Sequence, residues 1–178
     1  MAKLGIDGNV ALVKRPHDLE GLKGIVIPGG ESTVIGRVAE RTGLLKVLRE
    51  EIQRGLPVFG TCAGAILLAK EVYDAKVGKV EQPLIGVMDI KIARNYYGRQ
   101  KDSFEVDLSI PVLGDKPFRG VFIRAPAIES VGSNVKVLAS YEGLPVLVQQ
   151  DKMLAATFHP ELTSDTRLHE YFIKLTLS

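Results

Sequence analysis

The chain has 178 residues, of which 46% are hydrophobic and 25% charged, and its formal net charge is +2. This is the composition of one globular domain spanning residues 1–178. No dense basic cluster and no apolar run of about 20 residues is present, so we expect neither nucleic-acid nor membrane binding. A single cysteine cannot form an internal disulfide, which fits a cytoplasmic protein, and three scattered histidines predict neither a metal site nor a cofactor.

The first half of the chain alternates β-prone runs with helical patterns. Predicted strands cover residues 10–13, 24–27 and 58–59. Apolar residues at helical spacing predict helices over residues 31–39, 44–52 and 65–72. Strands that alternate with helices indicate a parallel sheet.

The second half is richer in β structure. Six further runs are predicted strands: residues 84–92, 104–110, 121–123, 137–141, 145–149 and 153–158. Their hairpin-like spacing suggests antiparallel additions to the sheet, and helical spacing after residue 164 predicts a closing helix. Functional residues of such a fold cluster beyond the carboxyl ends of its parallel strands.

Cys62 is the first candidate functional residue. It lies in a Gly-x-Cys-x-Gly segment between an apolar run and a helical stretch. This is the pattern of a nucleophile elbow, a sharp strand-to-helix turn that exposes a reactive side chain. The alternative is a small buried hydrophobic residue, which is the commoner role of a free cysteine.

His159 and Glu161 are the partners that a cysteine nucleophile would need. His159 ends an apolar strand, and Glu161 two positions later is placed to orient its imidazole. The alternative is a hydrogen-bonded residue at a strand boundary. His17 and His169 lie in polar sequence contexts, so we expect them to be exposed and without a catalytic role.

Polar or glycine-rich segments follow several other strands. Gly29 and Gly30 could form an oxyanion turn, a phosphate loop or a plain turn, and the missing Gly-Lys-Ser/Thr ending disfavours phosphate. Arg94 and Arg124 each follow an apolar run, which is where sites are built, although isolated arginines are usually solvated or paired. A polar cluster continues at residues 98–100.

Together, these segments resemble the class I glutamine amidotransferases. The matching stretches are PGGEST (28–33), FGTCAG (59–64), RNYYGRQ followed by DSFE (94–105), FIRAP (122–126) and FHPEL (158–162). FGTCAG and FHPE are typical of the wider class. Their combination with GRQ-DSFE and FIRAP is similar, more narrowly, to the glutaminase subunits of pyridoxal 5′-phosphate synthase.

The resemblance implies a flavodoxin-like, three-layer α/β fold with a mostly parallel central sheet. It implies Cys62 as the nucleophile, His159 as general base and acid, and Glu161 as the residue that orients His159. The positions that match the family's glutamine-binding and oxyanion sites are Gly29, Gly30, Glu31, Ser32, Ala63, Arg94, Ile123 and Arg124.

The resemblance also implies a partner. L-Glutamine would be hydrolysed to glutamate and ammonia, and the ammonia would pass to a (β/α)₈-barrel synthase subunit within a large hetero-oligomer. That subunit builds pyridoxal 5′-phosphate from a pentose phosphate and a triose phosphate. A glutaminase of this family is typically silent until it docks on the synthase.

The beginning of the sequence departs from the family pattern. Members begin with an apolar strand ending in a Leu-Gln-Gly-like segment and then a helix, whereas residues 1–5 here correspond to the end of that helix. The explanations are a misassigned start codon, a truncated chain or a genuine variant. Two alternative functions follow: a partner-binding subunit with impaired catalysis, or another cysteine hydrolase, such as a peptidase, on the same scaffold.

Overall fold

The computed structural model describes residues 10–96 and 103–178. The described residues form these α-helices: α1 (Ser32–Arg41), α2 (Leu44–Gln53), α3 (Ala63–Leu68) and α4 (Arg167–Leu177). They form these strands: β1 (Ile25–Ile27), β2 (Val58–Thr61), β3 (Ala69–Asp74), β4 (Gly78–Lys79), β5 (Met88–Arg94), β6 (Ser103–Leu108), β7 (Phe118–Ile123), β8 (Ala127–Val131), β9 (Lys136–Tyr141), β10 (Leu144–Gln150) and β11 (Met153–Ala156).

A five-stranded sheet in the order β1-β2-β11-β10-β9 forms the centre of the fold. β2 is parallel to both neighbours, with Ile27 opposite Gly60 on one side and Ala156 opposite Thr61 on the other. β10 and β9 then continue the sheet in antiparallel pairing. Because β1, β2 and β11 run in the same direction, the segments that follow them meet at one edge of the sheet.

Two smaller sheets complete the β structure. The first has the order β4-β3-β5-β8, with β3 parallel to β5, and the second is the antiparallel pair β6-β7. The mixed sheets with flanking helices confirm the α/β class. No helix within the described ranges has the length and apolar character needed to cross a membrane.

Two hydrophobic clusters lie on opposite faces of the central sheet's strands. One contains the apolar faces of α1, α2 and α3, and includes Leu48, Ile52 and Leu68. The other contains α4 and the β6-β7 pair, and includes Phe122, Phe158 and Phe172. β2 contributes to both, since Val58 belongs to the first cluster and Phe59 to the second. Successive side chains of a strand point to opposite faces, so this strand is covered on both sides.

Several sequence predictions differ from the structure. Residues 10–13 form no strand, and Val10 and Leu12 are 78% and 79% exposed, because no neighbouring strand in the described ranges pairs with them. The predicted helix over 65–72 ends at Leu68, after which Ala69 is extended and begins β3. Residues 84–87 precede β5 rather than belong to it, and β8 was not predicted. The polar cluster at 98–100 and the start of the sequence at 1–5 lie outside the described residues.

Candidate active site

Cys62 occupies the sharp corner between β2 and α3. Its backbone has φ 50° and ψ −105°, an unfavourable conformation for a residue with a Cβ, and its N–H donates to the Ala156 carbonyl at 2.8 Å. The residue is 8% exposed. The corner therefore holds a nearly buried thiol in a strained conformation, which is the geometry expected of a nucleophile elbow.

The glycines on either side of Cys62 allow this corner to pack closely. A Cβ on Gly64 would lie 1.9 Å from the Ile27 carbonyl oxygen, and a Cβ on Gly60 would lie 2.6 Å from the Gly64 backbone. Neither contact leaves room for a side chain. The Gly-x-Cys-x-Gly pattern thus reflects direct backbone packing between the start of α3 and the strands β1 and β2.

His159 reaches Cys62 from the neighbouring strand. It lies three residues after β11, and its N–H donates to the Val121 carbonyl of β7 at 2.8 Å. Its Nδ1 donates a hydrogen bond to Glu161 Oε1 at 2.7 Å, and its ring lies beside Cys62, with both side chains against the Gly29 backbone. His159 is 14% exposed in its side chain and Glu161 is 42% exposed. The structure therefore brings all three predicted residues together, with His159 next to Cys62 and hydrogen-bonded to Glu161.

The charges at this site support one another. Interaction with the adjacent Cys62 side chain, followed by the hydrogen bond to Glu161, raises the pKa of His159 to about 10, against the opposing effect of burial. Burial is the largest single effect and opposes ionisation of Glu161, but the hydrogen bond to His159, a backbone hydrogen bond and the charges of His159 and His169 together outweigh it and lower the pKa of this carboxyl. At neutral pH the site therefore holds an imidazolium hydrogen-bonded to a carboxylate.

Gly29 and Gly30 form the turn after β1 and lie against the same residues. A Cβ on Gly29 would be 2.5 Å from His159 Cε1 and 3.5 Å from Cys62 Cβ. Gly30 has φ +144°, which residues with side chains rarely adopt. The turn after β1, the corner after β2 and the segment after β11 thus meet at the carboxyl edge of the sheet.

Glu31, Ser32 and Arg94 form a second group beside this turn. The Glu31 carboxylate caps α1 by accepting hydrogen bonds from the backbone N–H groups of Thr33 (3.2 Å) and Val34 (2.7 Å), and it lies 3.5 Å from Arg94 Nη2. Burial opposes ionisation of Glu31, but these backbone hydrogen bonds, a hydrogen bond from the Thr33 side chain and the charge of Arg94 together outweigh it and lower the pKa of the carboxyl. The group therefore presents a paired anion and cation.

Gln82 joins this group and has no sequence signal that could have found it. Its Oε1 accepts hydrogen bonds from Ser32 Oγ and Thr33 Oγ1, each at 3.3 Å, and from Arg94 Nη1 at 2.5 Å. A single glutamine in a polar loop is normally a solvated residue. Only the chain's path over α1 brings it to Arg94.

Ile123 and Arg124 lie at the end of β7. This strand contacts the active site through the hydrogen bond from His159 N–H to Val121, and Arg124 is exposed with φ 44°. Within the described residues, no side-chain hydrogen bond joins Ile123 or Arg124 to either group. Ala63, in contrast, directly follows Cys62 as the first residue of α3, where backbone N–H groups have no partner within the helix.

His169 is not exposed, contrary to the sequence prediction. It lies on α4, and its ring approaches Phe59 edge-on with centroids 6.3 Å apart. Burial lowers the pKa of His169, against a smaller opposing effect of Glu161. His17 is 68% exposed, as its polar context predicted, and its Nε2 lies 3.2 Å from Asp18 Oδ1. Within the described residues, no group of three or more His, Cys, Asp and Glu side chains could hold a metal ion.

Comparisons with known proteins match this chain to glutamine amidotransferases. Residues 2–178 match the family model described as the SNO glutamine amidotransferase family. The chain is 56% identical over 173 residues to the pyridoxal 5′-phosphate synthase subunit PdxT of Saccharolobus solfataricus, covering 97% of this chain and 86% of that protein. It is also 56% identical, over 176 residues, to the PdxT subunit of Staphylothermus marinus, with the same coverage.

Solved structures agree with the sequence comparisons. A crystal structure of a glutamine amidotransferase superposes with a TM-score of 0.89 at 49% identity, covering 99% of this chain and 90% of that one. A second crystal structure, of a putative GMP synthase protein from Thermoplasma acidophilum, has a TM-score of 0.64 at 18% identity, covers 99% of this chain and 84% of that one, and shares the fold.

Proposed function

The chain belongs to the SNO glutamine amidotransferase family, and we propose that the site around Cys62 carries out the family's chemistry. The protein hydrolyses L-glutamine to L-glutamate and ammonia, and the ammonia is used by a partner synthase subunit to make pyridoxal 5′-phosphate. The observation that carries the assignment to this site is the placement of Cys62 beside His159, which is itself hydrogen-bonded to Glu161.

Cys62 is the proposed nucleophile. Its thiolate attacks the side-chain amide carbon of glutamine and forms a carbon–sulfur bond. The His159 imidazolium donates its proton to the amide nitrogen, the carbon–nitrogen bond breaks, and ammonia leaves. Water then attacks the thioester while His159 accepts its proton, and breakage of the carbon–sulfur bond releases glutamate and restores the thiolate. Glu161 holds the ring of His159 in place for both transfers.

The oxyanion formed in each step requires hydrogen-bond donors. We assign this role to the turn at Gly29 and Gly30 and to the backbone N–H of Ala63. The turn lies beside His159 and Cys62, and Ala63 begins α3, whose first N–H groups point out of the helix. Donors held by the backbone before the reaction stabilise the developing charge without further rearrangement.

Recognition of glutamine requires groups for its ammonium and its carboxylate. Glu31 and Arg94 supply an anion and a cation next to the turn, and Ser32 begins α1 beside them. Arg124 and Ile123, at the end of β7, are proposed to contact the substrate from the opposite side. A zwitterionic amino acid is bound well by such a set because charge-assisted hydrogen bonds are stronger than neutral ones.

The protein works with the synthase subunit in a pyridoxal 5′-phosphate synthase complex. We propose further that this partner is a (β/α)₈ barrel, that the complex is a large hetero-oligomer, and that ammonia passes between the subunits without release to solvent. Because the mechanism needs Cys62 as a free thiol, we place the reaction in the reducing cytoplasm.

Glutamate release from L-glutamine in the presence of the synthase subunit tests the mechanism. We expect Cys62→Ala to abolish release and His159→Asn to lower kcat by about 10²–10⁴-fold, the range typical of a lost general acid and base. His17→Asn is the matched control, because His17 also pairs with a carboxylate, Asp18 at 3.2 Å, but is exposed. It should retain parental activity.

Activity of the Cys62→Ala variant at the parental rate would overturn the mechanism. Hydrolysis of a peptide substrate, with no labelling of Cys62 by an electrophilic glutamine analogue, would instead indicate a different cysteine hydrolase.

A further inference from the structure

Gln82 is the shared acceptor of the polar group beside the active-site turn. Three donors from two separate elements converge on one oxygen: Ser32 and Thr33 of α1, and Arg94 at the end of β5. Arg94 donates through the same Nη1 to Thr33 Oγ1 at 2.8 Å. This single carboxamide therefore couples the start of α1 to the guanidinium that we assign to substrate binding.

The chemistry of Arg94 fixes the orientation of the Gln82 amide. A guanidinium has only donors, so the atom 2.5 Å from Arg94 Nη1 must be the acceptor Oε1 and not the amide nitrogen. Gln82 Nε2 then points away from Arg94. This nitrogen is buried and has no hydrogen-bond partner within the described ranges. Folds rarely retain such a donor, which indicates that the oxygen is what this position requires.

The segment that carries Gln82 is anchored to α1 and α2 directly after this residue. The Pro83 carbonyl lies 2.4 Å from where a Cβ of Gly36 would be, so α1 and this segment are in direct backbone contact. Arg49 of α2 donates to the next two carbonyls along the chain, both at 2.7 Å. An irregular segment anchored in this way presents Gln82 from a fixed position.

We infer that Gln82 is a positioning residue for glutamine binding, which fixes the Arg94 guanidinium without cancelling its charge. A carboxylate at this position would hold Arg94 equally well but would form an ion pair with it. The neutral carboxamide leaves the positive charge available to the carboxylate of the substrate. Glu31, the acid already near Arg94, is 52% exposed, so water weakens its effect on that charge. This inference rests on the proposed function.

Two substitutions separate charge from geometry. Gln82→Glu keeps an acceptor for Arg94, Ser32 and Thr33 but adds a negative charge. Gln82→Met keeps the size of the side chain but removes the acceptor. We expect both to raise KM for L-glutamine by about 10- to 100-fold, the effect of one lost charge-assisted hydrogen bond, while kcat in the complex with the synthase stays near the parental value.

Gln150→Met is the matched control. Gln150 is also half-buried and its Oε1 accepts a hydrogen bond, from Asp89 N–H at 2.8 Å, but it lies opposite Met153 at the start of β11, away from the active site. It should change neither constant. A folded Gln82→Glu variant with parental KM, or one whose kcat falls while KM is unchanged, would overturn the inference.

Calorimetry of L-glutamine binding in a Cys62→Ala background, with the synthase present, separates this inference from the proposed function. Weaker binding by Gln82→Glu in that background supports the positioning role independently of turnover. Parental binding by Gln82→Glu overturns the inference even if glutamine is hydrolysed. If the Cys62→Ala protein with Gln82 intact binds L-glutamine but the protein with Cys62 hydrolyses none, the proposed function alone is overturned. If the Cys62→Ala protein with Gln82 intact does not bind L-glutamine, both are overturned.

Discussion

Gly29→Ala tests whether the space beside His159 is required for catalysis. A Cβ at this position would lie 2.5 Å from His159 Cε1 and 3.2 Å from its Nδ1. Gly29 is not among the glycines with positive φ, so its backbone conformation suits alanine. The cost of the added methyl group therefore arises from the contact with the imidazole.

The size of the effect follows from the distances. To restore an ordinary contact of 3.4 Å from 2.5 Å, the His159 ring must move by about 0.9 Å. Its Nδ1 lies 2.7 Å from Glu161 Oε1, and a displacement of that size away from Glu161 would lengthen this distance to about 3.6 Å, beyond the range of a hydrogen bond. A misplacement of about 1 Å in a catalytic group costs about 10²-fold in rate, which is the loss of kcat that we expect.

The assay is glutamate release by the complex with the synthase subunit. Gly24→Ala is the matched control: its Cβ would make a contact of similar length, 2.6 Å to Thr176 Cγ2, but at the opposite end of β1 from the site. It should lower thermal stability without lowering kcat. If Gly29→Ala is folded and retains the kcat of the Gly24→Ala variant, the space beside His159 is not needed.

Three other outcomes follow from the same geometry. Glu161→Gln should lower both the pKa of His159, read by NMR titration, and kcat, the latter by about 10²–10⁴-fold; an unchanged titration would contradict the assigned pair. The pKa of His159 is raised from 6.5 to about 10, so protonation of His159 stabilises the folded protein. This stabilisation should be complete below pH 6.5 and lost as the pH rises through about 10. The free energies of unfolding of the parent and of His159→Asn, measured in urea, should therefore converge at high pH. A constant difference between them at all pH values would refute this. Gly64→Ala, with a Cβ 1.9 Å from the Ile27 carbonyl oxygen, should lose about 3 kcal/mol of unfolding free energy in urea; an unchanged midpoint would show that β1 and α3 separate easily.

The sequence predicted the elements whose causes are local. The elbow at Cys62 follows from glycines that lie within two residues of it, and α2 follows from apolar residues at helical spacing. The interaction of His159 with Glu161 was also predictable, because the two are separated by one residue. In each case, a short segment contains the information needed.

The features that the sequence did not predict depend on distant partners. The apolar run after Cys62 is long enough for a helix, but pairing with β5 turns its second part into β3. Residues 10–13 have β propensity but no neighbouring strand in the described ranges. Gln82 acquires its role from contacts with residues 12 or more positions away. His169 is half-buried because it lies next to the apolar face of α4. The prediction that it is exposed was wrong, and its helical spacing from Phe172 could have corrected it.

At Cys62, selection for stability and selection for turnover favour different residues. Its φ of 50° and ψ of −105° cost about 1–3 kcal/mol, which a glycine at this position would largely avoid. A Cys62→Gly variant would therefore be more stable than the parent but would lack the thiol. Sequence drift toward greater heat resistance would be opposed at this one residue by the need for a reactive sulfur, so added stability has to come from elsewhere in the chain.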